Sequence, residues 1–421
     1  MPPRAAELSP HPLDDRDPLA RFREQFVFDE TGPIYLNGNS LGRQPKAAVE
    51  RTAEVLEQWG RELGQGWSRG WIELNRSLGE KLAPLVGAGP GRVLLSDSTS
   101  VNLYKLALAA LGMRPGRTVI LSDELNFPSD LYVLQGCVRQ LGGRYKLRLV
   151  PSRDGVTIDQ QTIIDALTDE TALVCLSHVA YHSAFKYDPA AITTAAHQAG
   201  ALVLWDLSHS VGVAPIELDD WGVDFAVGCT YKYLNGGPGS PAFIYARPEL
   251  AEQAQSPVWG WFGHQSPFSF EPDYQPAEGV TRFQAGTPPI LALAALEPAL
   301  DLTLEAGISA IRKKSLALTG HLIDLAERDL APVGFTIGTP LEGDRRGSHV
   351  CLRHPEAYRI SRALIEDLNV LVDFREPDGL RMGLAPLYNT FAEVQEAIAR
   401  TRRVVVKEHF KHYSLDRAPV T

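Results

Sequence analysis

A lysine flanked by two tyrosines, Tyr231 and Tyr233, stands between an apolar run and a glycine-rich turn. The run at residues 225–227 is typical of a buried strand, Lys232 follows it, and the turn occupies residues 235–240. Burial disfavours an ammonium ion and so favours the neutral amine, which attacks carbonyl carbons. This setting indicates a Schiff-base lysine, although a surface lysine with its charge in water fits the same pattern.

A carboxylate occupies a similar position one strand earlier. Asp206 follows the apolar run at residues 202–205 and lies twenty-six positions before Lys232. An aspartate there can cap the next helix, or it can pair with a protonated heterocyclic nitrogen. One strand–helix–strand step separates the two residues, so both can face one crevice. Enzymes that use pyridoxal 5'-phosphate (PLP) bind it in this way, with an aspartate paired to the pyridinium nitrogen and a lysine that forms a Schiff base with the aldehyde.

Hydroxyl side chains precede a helical pattern that starts near residue 101. Residues 96–100 read Ser-Asp-Ser-Thr-Ser, and leucines and alanines then recur at helical spacing. Such residues cap a helix N-terminus, and the free N–H groups of that terminus can also bind a phosphate. A second motif, GNSLG around Ser40, matches the nucleophile elbow of serine hydrolases. Too little chain precedes Ser40 to build the required sheet, so a glycine-rich turn is favoured there.

Strand and helix patterns alternate through the middle of the chain, which predicts an α/β fold with a mainly parallel sheet. In such sheets ligands bind at the carboxyl ends of the strands, where the polar residues above fall. The predicted strands are 118–122, 145–150, 172–179 and 201–205, and the predicted helices are 130–141, 160–167 and 190–199. Residues 66–71, which contain Trp67, are predicted to form a loop.

Strands and helices are mixed differently toward the C-terminus, which predicts a small α+β domain with an antiparallel sheet. The predicted elements there are one helical stretch at 292–328, helices at 357–368 and from 391, and strands at 335–337, 348–353, 370–374 and 380–384. We therefore expect an N-terminal arm over residues 1–30 that packs with the small domain or a partner, a large domain over 31–300 and a small domain over 301–421.

The composition of the chain argues against some classes of binding partner. The 421-residue chain carries a formal net charge of −10, which argues against nucleic acid and anionic membranes. No apolar run is long enough to span a bilayer, and the first residues lack a signal-peptide core. The four cysteines are far apart in sequence, which favours reduced core thiols over disulfides or a metal site. We expect a cytoplasmic protein without a metal.

The chain resembles the kynureninase family, which are PLP enzymes of fold type I in the aspartate aminotransferase superfamily. The spacing of Asp206 and Lys232 alone would fit many such enzymes, including cysteine desulfurases. The aromatic block at 260–264 and the block at 228–240 point to kynureninases. The matching motifs are IYLNGNSLG (34–42), SDSTSVNLYK (96–105), NFPSDLY (126–132), WDLSHSVG (205–212), GCTYKYLNGGPGS (228–240), GWFGH (260–264), RRGSHV (345–350) and RMGLAPLYNTF (381–391).

The resemblance implies roles for individual residues. Lys232 would hold PLP covalently, Asp206 would pair with its ring nitrogen and Tyr231 would serve as a general acid. The implied cofactor-binding set is Thr99, Ser100, Phe127, Asp130, Ser177, Asp206, His209, Tyr231, Lys232, Trp261 and Thr287, with Trp261 and Thr287 supplied by the other subunit of a homodimer with shared active sites. Substrate binding would fall to Arg381, Trp67 and Asn39.

The implied reaction is hydrolysis of L-kynurenine, and less well of 3-hydroxy-L-kynurenine, to anthranilate and L-alanine in tryptophan catabolism, with a link to NAD biosynthesis. Trp67 and the pair Gly286-Thr287 resemble the bacterial version, which prefers kynurenine. One alternative keeps the fold and makes the chain a desulfurase-like PLP lyase with Cys351 as sulfur acceptor. The others are a serine hydrolase that uses Ser40 and a non-catalytic binding protein.

Overall fold

The computed structural model describes residues 8–29 and 32–416 of the chain. The strands are β1 Ile34–Tyr35, β2 Val93–Leu95, β3 Val119–Asp123, β4 Lys146–Val150, β5 Thr171–Ser177, β6 Leu202–Asp206, β7 Phe225–Gly228, β8 Phe243–Ala246, β9 Thr336–Ile337, β10 His349–Arg353, β11 Val370–Leu371, β12 Asp373–Arg375 and β13 Gly379–Gly383. The α-helices are α1 Lys46–Glu62, α2 Trp71–Leu82, α3 Thr99–Gly112, α4 Pro128–Gln140, α5 Gln160–Asp165, α6 Pro189–Gln198, α7 Pro248–Ala251, α8 Ile290–Ala306, α9 Ile308–Asp329, α10 Ala357–Leu368 and α11 Phe391–Val406.

A seven-stranded sheet forms the centre of the larger part of the molecule, in the order β2-β8-β7-β6-β5-β3-β4. The five strands from β7 to β4 are parallel to one another, and only β8 runs against them, pairing antiparallel with both β7 and β2, which confirms the predicted mainly parallel sheet. Successive side chains of a strand point to opposite faces. Leu173 and Cys175 of β5 accordingly join one apolar cluster, while Val174 and Leu176 join another. Both faces of the sheet are therefore covered.

A second sheet of four antiparallel strands, in the order β12-β13-β10-β9, confirms the antiparallel sheet predicted near the C-terminus. Helices α9, α10 and α11 contribute to the apolar cluster against this sheet. The described part of the N-terminal arm also contacts these helices. The carboxylate of Asp14 accepts hydrogen bonds from the N–H groups of Phe391 (2.8 Å) and Ala392 (3.0 Å), and Asp17 pairs with Lys314 of α9 at 2.6 Å. The domain limits at residues 30 and 300 stay a prediction.

Three local predictions were wrong. The helical stretch 292–328 is two helices, because Gly307 between them takes a positive φ of 74°. The strand 370–374 is two strands, because β11 pairs with β1 whereas β12 pairs with β13. Residues 66–71 are not an irregular loop, since a 3₁₀ helix spans Leu63–Arg69 and Trp71 begins α2.

All four cysteines are buried and unpaired, as the sequence predicted. Within the described ranges, no helix combines the length and the apolar character needed to cross a bilayer.

Candidate active site

The carboxyl ends of the central parallel strands bring the predicted lysine and aspartate to one edge of the sheet. Asp206 is the last residue of β6, rather than the first residue beyond it, and lies in register with Val227 of β7 and Ser177 of β5. Lys232 follows β7 in the turn beyond it. Both residues therefore belong to the same end of neighbouring strands, where ligands of open α/β sheets bind.

Lys232 is buried, with 8% of its surface exposed, and its Nζ atom lies 3.1 Å from Nε2 of His209. Burial lowers the pKa of the lysine, against the opposing effect of Cys229 and Asp206. Burial and the charge of Lys232 hold the pKa of His209 well below its usual range, so this imidazole is neutral. Lys232 thus has a raised share of neutral amine and a neutral ring beside it.

Asp206 is held in a fixed orientation by the turn that follows it. Its Oδ1 accepts hydrogen bonds from the backbone N–H (2.8 Å) and the hydroxyl (2.6 Å) of Ser208. The Ser208 hydroxyl oxygen in turn accepts from the N–H of Cys229 at 3.1 Å. Two successive strand ends are therefore tied together around one carboxylate.

A second carboxyl group, that of Asp130 in the first turn of α4, lies close enough to Asp206 for the two groups to affect each other's pKa. Burial and the charge of Asp206 raise the pKa of Asp130 well above its usual range, and burial also raises the pKa of Asp206. Two adjacent buried carboxyl groups do not both ionise, and the charge of Asp206 acts on Asp130, so we treat Asp130 as the protonated member of the pair. The Oδ2 atom of Asp130 is buried and has no hydrogen-bond partner among the described residues. The pair is thus arranged to receive a cationic N–H donor.

The N-terminus of α3 faces the same space. Ser98 caps it, with its hydroxyl accepting from the N–H of Val101 at 3.4 Å, and the hydroxyls of Ser100 and Ser129 lie 2.9 Å apart. Seven of the predicted cofactor residues lie together on a cavity of about 140 Å³. Its lining residues are Ser98, Thr99, Ser100, Phe127, Ser129, Asp130, Asp206, Ser208, Tyr231, Lys232, Ser240 and Ala242.

Two aromatic rings flank the lysine. Nζ of Lys232 lies 5.7 Å from the ring centre of Phe127 and 5.8 Å from that of Tyr231. The Phe127 ring also meets Tyr181 edge-on at 5.2 Å. Burial raises the pKa of Tyr231, so its hydroxyl keeps its proton and can donate it.

Arg381 is buried in β13 and its guanidinium already binds a carboxylate. Its Nε donates to Oδ1 of Asp373 at 2.9 Å and its Nη2 donates to the other oxygen. Nη1 donates to the carbonyl oxygen of Tyr181. With its amide oxygen turned to the guanidinium, Asn39 also accepts from Nε at 2.8 Å. Two of the three predicted substrate-binding residues, Arg381 and Asn39, are therefore in contact.

Four other predicted site residues do not line the cavity of about 140 Å³ around Lys232, which we call the lysine cavity. Ser177 donates to Oδ1 of Asn126 at 2.7 Å. Trp67 packs edge-on against Trp71. Trp261 is 41% exposed and belongs to an aromatic group with Phe262, Phe268 and Phe270. Thr287 lines an adjoining cavity of about 490 Å³, which shares Ser98, Tyr231 and Ser240 with the first.

Sequence reasoning missed several residues of the site. Ser129 and Ser208 stand inside motifs quoted above, so their hydroxyls could have been included. Asp373 carries no local signal, because only the antiparallel register of β12 and β13 places it opposite Arg381.

Two family models and many curated relatives match this chain. Residues 34–354 match the family model of class-V aminotransferases, and residues 311–401 match that of the kynureninase C-terminal domain. A kynureninase of Pseudomonas fluorescens is 45% identical over 392 residues, which cover 92% of each chain. One of Burkholderia pseudomallei is 43% identical over 405 residues, 95% of each chain.

Solved structures share the fold at low sequence identity. The apo cysteine desulfurase of Thermococcus onnurineus has a TM-score of 0.81 at 19% identity, covering 92% of this chain and 98% of that one. A C-DES variant with glycine covalently linked to its PLP cofactor has a TM-score of 0.80 at 18% identity, covering 90% and 98%. The likeness to desulfurases extends to the fold, whereas the sequence matches are to kynureninases over nearly the whole length. The chain belongs to the kynureninase family, within aminotransferase class V.

Proposed function

We propose that this chain is a PLP-dependent hydrolase that cleaves L-kynurenine to anthranilate and L-alanine. The observation that carries the proposal is the convergence of Lys232, Asp206 and the α3 N-terminus on one cavity, in a chain of this family. When bound, PLP withdraws electrons from the substrate Cα and stabilises the negative charge that develops there.

The residues present fit this cofactor. The amine of Lys232 can form the covalent link, and the hydroxyls and N–H groups at the start of α3 can receive the phosphate. The pyridinium N–H would meet the carboxyl pair, whose buried Asp130 Oδ2 otherwise has no partner among the described residues. A cation at this position would offset the cost of burying Asp206 as an anion.

Lys232 would also move the Cα proton. The amine of Lys232 would need to be neutral to accept that proton from a bound substrate. The lowered pKa of Lys232 supports this role. Tyr231 would act as the general acid during cleavage of the Cβ–Cγ bond, after water has added to the aryl ketone.

Arg381 would bind the substrate carboxylate. The Nε and Nη2 atoms already donate to Asp373, so the substrate carboxylate would bind to the other side of the guanidinium, formed by Nη1 and Nη2. Asp373 and Asn39 would then keep the guanidinium in place, and the carboxylate of Asp373 would offset part of its charge.

We propose further that the enzyme is a homodimer with shared active sites. Val49, Leu56, Trp59 and Leu63 form an exposed apolar stripe along and just beyond α1, between 46% and 66% exposed. An exposed stripe of this kind is typical of a surface that another protein covers. Trp261 and Thr287, exposed in one chain, would complete the cofactor site of the partner.

Mixing of two inactive variants tests the shared sites. Lys232→Ala and the double variant Trp261→Ala/Thr287→Ala should each be nearly inactive. Random mixing of the subunits should restore roughly a quarter of the activity, because half the dimers are hybrids with one intact site each. No recovery, or a fully active wild-type monomer, would contradict the arrangement.

The substrate preference is tested by comparing kcat/KM for kynurenine and 3-hydroxykynurenine. Trp67 offers an apolar wall with a single donor, so the added hydroxyl should gain little. We expect kynurenine to be preferred, with anthranilate and alanine formed in equal amounts. Absence of both products in a preparation that carries PLP would overturn the proposed reaction. The pathway of tryptophan catabolism is proposed with the substrate, and a cytoplasmic location is supported by four buried, unpaired cysteines.

A further inference from the structure

A fully buried lysine outside the reaction scheme stands behind the phosphate end of the site. Lys105, in the second turn of α3, has none of its surface exposed. Its Nζ lies 2.7 Å from Oδ2 of Asp97 and 2.6 Å from the carbonyl oxygen of Phe283. Neither the proposed covalent chemistry nor the proposed substrate binding uses this ammonium group.

The partner of Lys105 is an acid placed where the phosphate would arrive. Asp97 directly precedes Ser98, the cap of α3, and takes a positive φ of 43°, which is uncommon for a residue other than glycine. Its side chain is 30% exposed and lines the cavity that shares Ser98, Tyr231 and Ser240 with the lysine cavity. An unpaired carboxylate at this position would repel a phosphate dianion bound at the start of α3.

The backbone around Asp97 does not depend on Lys105 alone. Asn102 donates from Nδ2 to the carbonyl of Ser96 at 2.6 Å, and the N–H of Ala242 donates to the carbonyl of Asp97 at 2.8 Å. The Ser96 hydroxyl also donates to Oδ2 of Asp97 at 2.8 Å. Removal of the ammonium should therefore leave the turn in place and change mainly its charge.

We propose that Lys105 is a positioning residue that neutralises Asp97 and so makes the start of α3 selective for the phosphate group of the cofactor. This inference rests on the proposed binding of PLP at that site. The contact of Lys105 with the carbonyl of Phe283 also fixes the beginning of the segment that leads to Thr287, on the wall of the same cavity.

The test compares PLP with pyridoxal, which lacks the phosphate but forms the same link to Lys232. Full-length protein freed of cofactor is titrated with each compound and followed by near-visible absorbance. In Lys105→Met, the dissociation constant for PLP should rise about tenfold or more, as expected for one uncompensated charge near a dianion. The constant for pyridoxal should stay within about twofold, since pyridoxal carries no phosphate charge to be repelled.

Asp97→Asn in the Lys105→Met background supplies the rescue. Asparagine tolerates a positive φ and removes the negative charge, so PLP affinity should return to within about threefold of wild type. Asp97→Asn alone should keep the preference for PLP over pyridoxal at least as large as in the wild type. These two variants test the inference even where Lys105→Met does not fold.

Lys314→Met is the matched control, because it removes a buried lysine from its pair with Asp17 far along the chain and should leave the preference unchanged. Equal weakening of PLP and pyridoxal in Lys105→Met, or no recovery with Asp97→Asn, would overturn the inference and leave Lys105 a structural residue. A wild-type protein that binds neither compound would instead refute the proposed function.

Discussion

The Nζ atom of Lys232 lies 3.1 Å from Nε2 of His209, in a setting where burial lowers the pKa of both side chains. A buried lysine next to a neutral imidazole has more free amine at neutral pH than a lysine in water. This relationship makes the covalent capture of an aldehyde by Lys232 chemically reasonable at the pH of a cell.

The rate at which cofactor-free protein takes up PLP should therefore rise with pH and reach a plateau before the pH reaches 10.5, the ordinary pKa of lysine. A lowered pKa means that the amine is already largely neutral when the pH reaches that value. The rate is measured by absorbance from pH 6 upward, with N-acetyl-lysine as the free-amine control. A rate that still rises about tenfold per pH unit up to the ordinary value would contradict the lowered pKa.

The two carboxyl groups should tolerate amide substitution differently. Asp206→Asn removes the anion that pairs with the ring nitrogen and should lower kcat/KM by about 100-fold or more. Asp130→Asn keeps a neutral group that can still donate to Asp206, so its loss should stay within about tenfold. Steady-state kinetics on both variants, each loaded with PLP, checks this order. The reverse order would show that the proton resides on Asp206.

Arg381→Lys should raise KM for kynurenine strongly and lower kcat/KM by about 100-fold, because lysine cannot reproduce the planar contact with a carboxylate. Binding of PLP, read from its absorbance, should be unchanged. Asn39→Ala should have a smaller effect in the same direction, since Asn39 accepts a hydrogen bond from the Nε atom of Arg381 and helps to hold the guanidinium. Arg353→Lys is the control, because Arg353 pairs with Asp378 in the same way and has no proposed role in substrate binding. Loss of PLP binding in Arg381→Lys with an unchanged KM would contradict the assigned role.

The parallel sheet and the lysine cavity could be predicted from the sequence because each depends on patterns of neighbouring residues along the chain. Apolar runs mark β5, β6 and β7, and the polar residues that follow them fall at one edge by the rule for parallel strands. The pairing of Arg381 with Asp373 could not be predicted, because it depends on the register of two antiparallel strands. The break at Gly307 was missed because apolar periodicity continues on both sides of it.

Asp123 should make stability depend on pH. Burial raises its pKa from the ordinary 3.8 to about 6, although Tyr187 donates a hydrogen bond to it at 2.9 Å. A raised pKa means that the folded state binds the proton more tightly than the unfolded state. The stabilisation is complete below pH 3.8 and is lost as the pH rises through about 6.

Above that range the free energy of unfolding should be lower by about 3 kcal/mol on account of this group. Asp123→Asn should remove the dependence, which is checked by urea unfolding of both proteins at pH 5 and pH 8, an interval that contains about half of the difference. Identical pH dependence in the wild type and the variant would contradict the raised pKa of Asp123.

The most direct test of the central claim is to locate the covalently bound cofactor. The purified holoenzyme is reduced with borohydride, digested and analysed by mass spectrometry. Loss of the near-visible absorbance together with a pyridoxyl group on Lys232 is the predicted result. The modification on a different lysine, or a fully active enzyme with no modified lysine, would contradict the account.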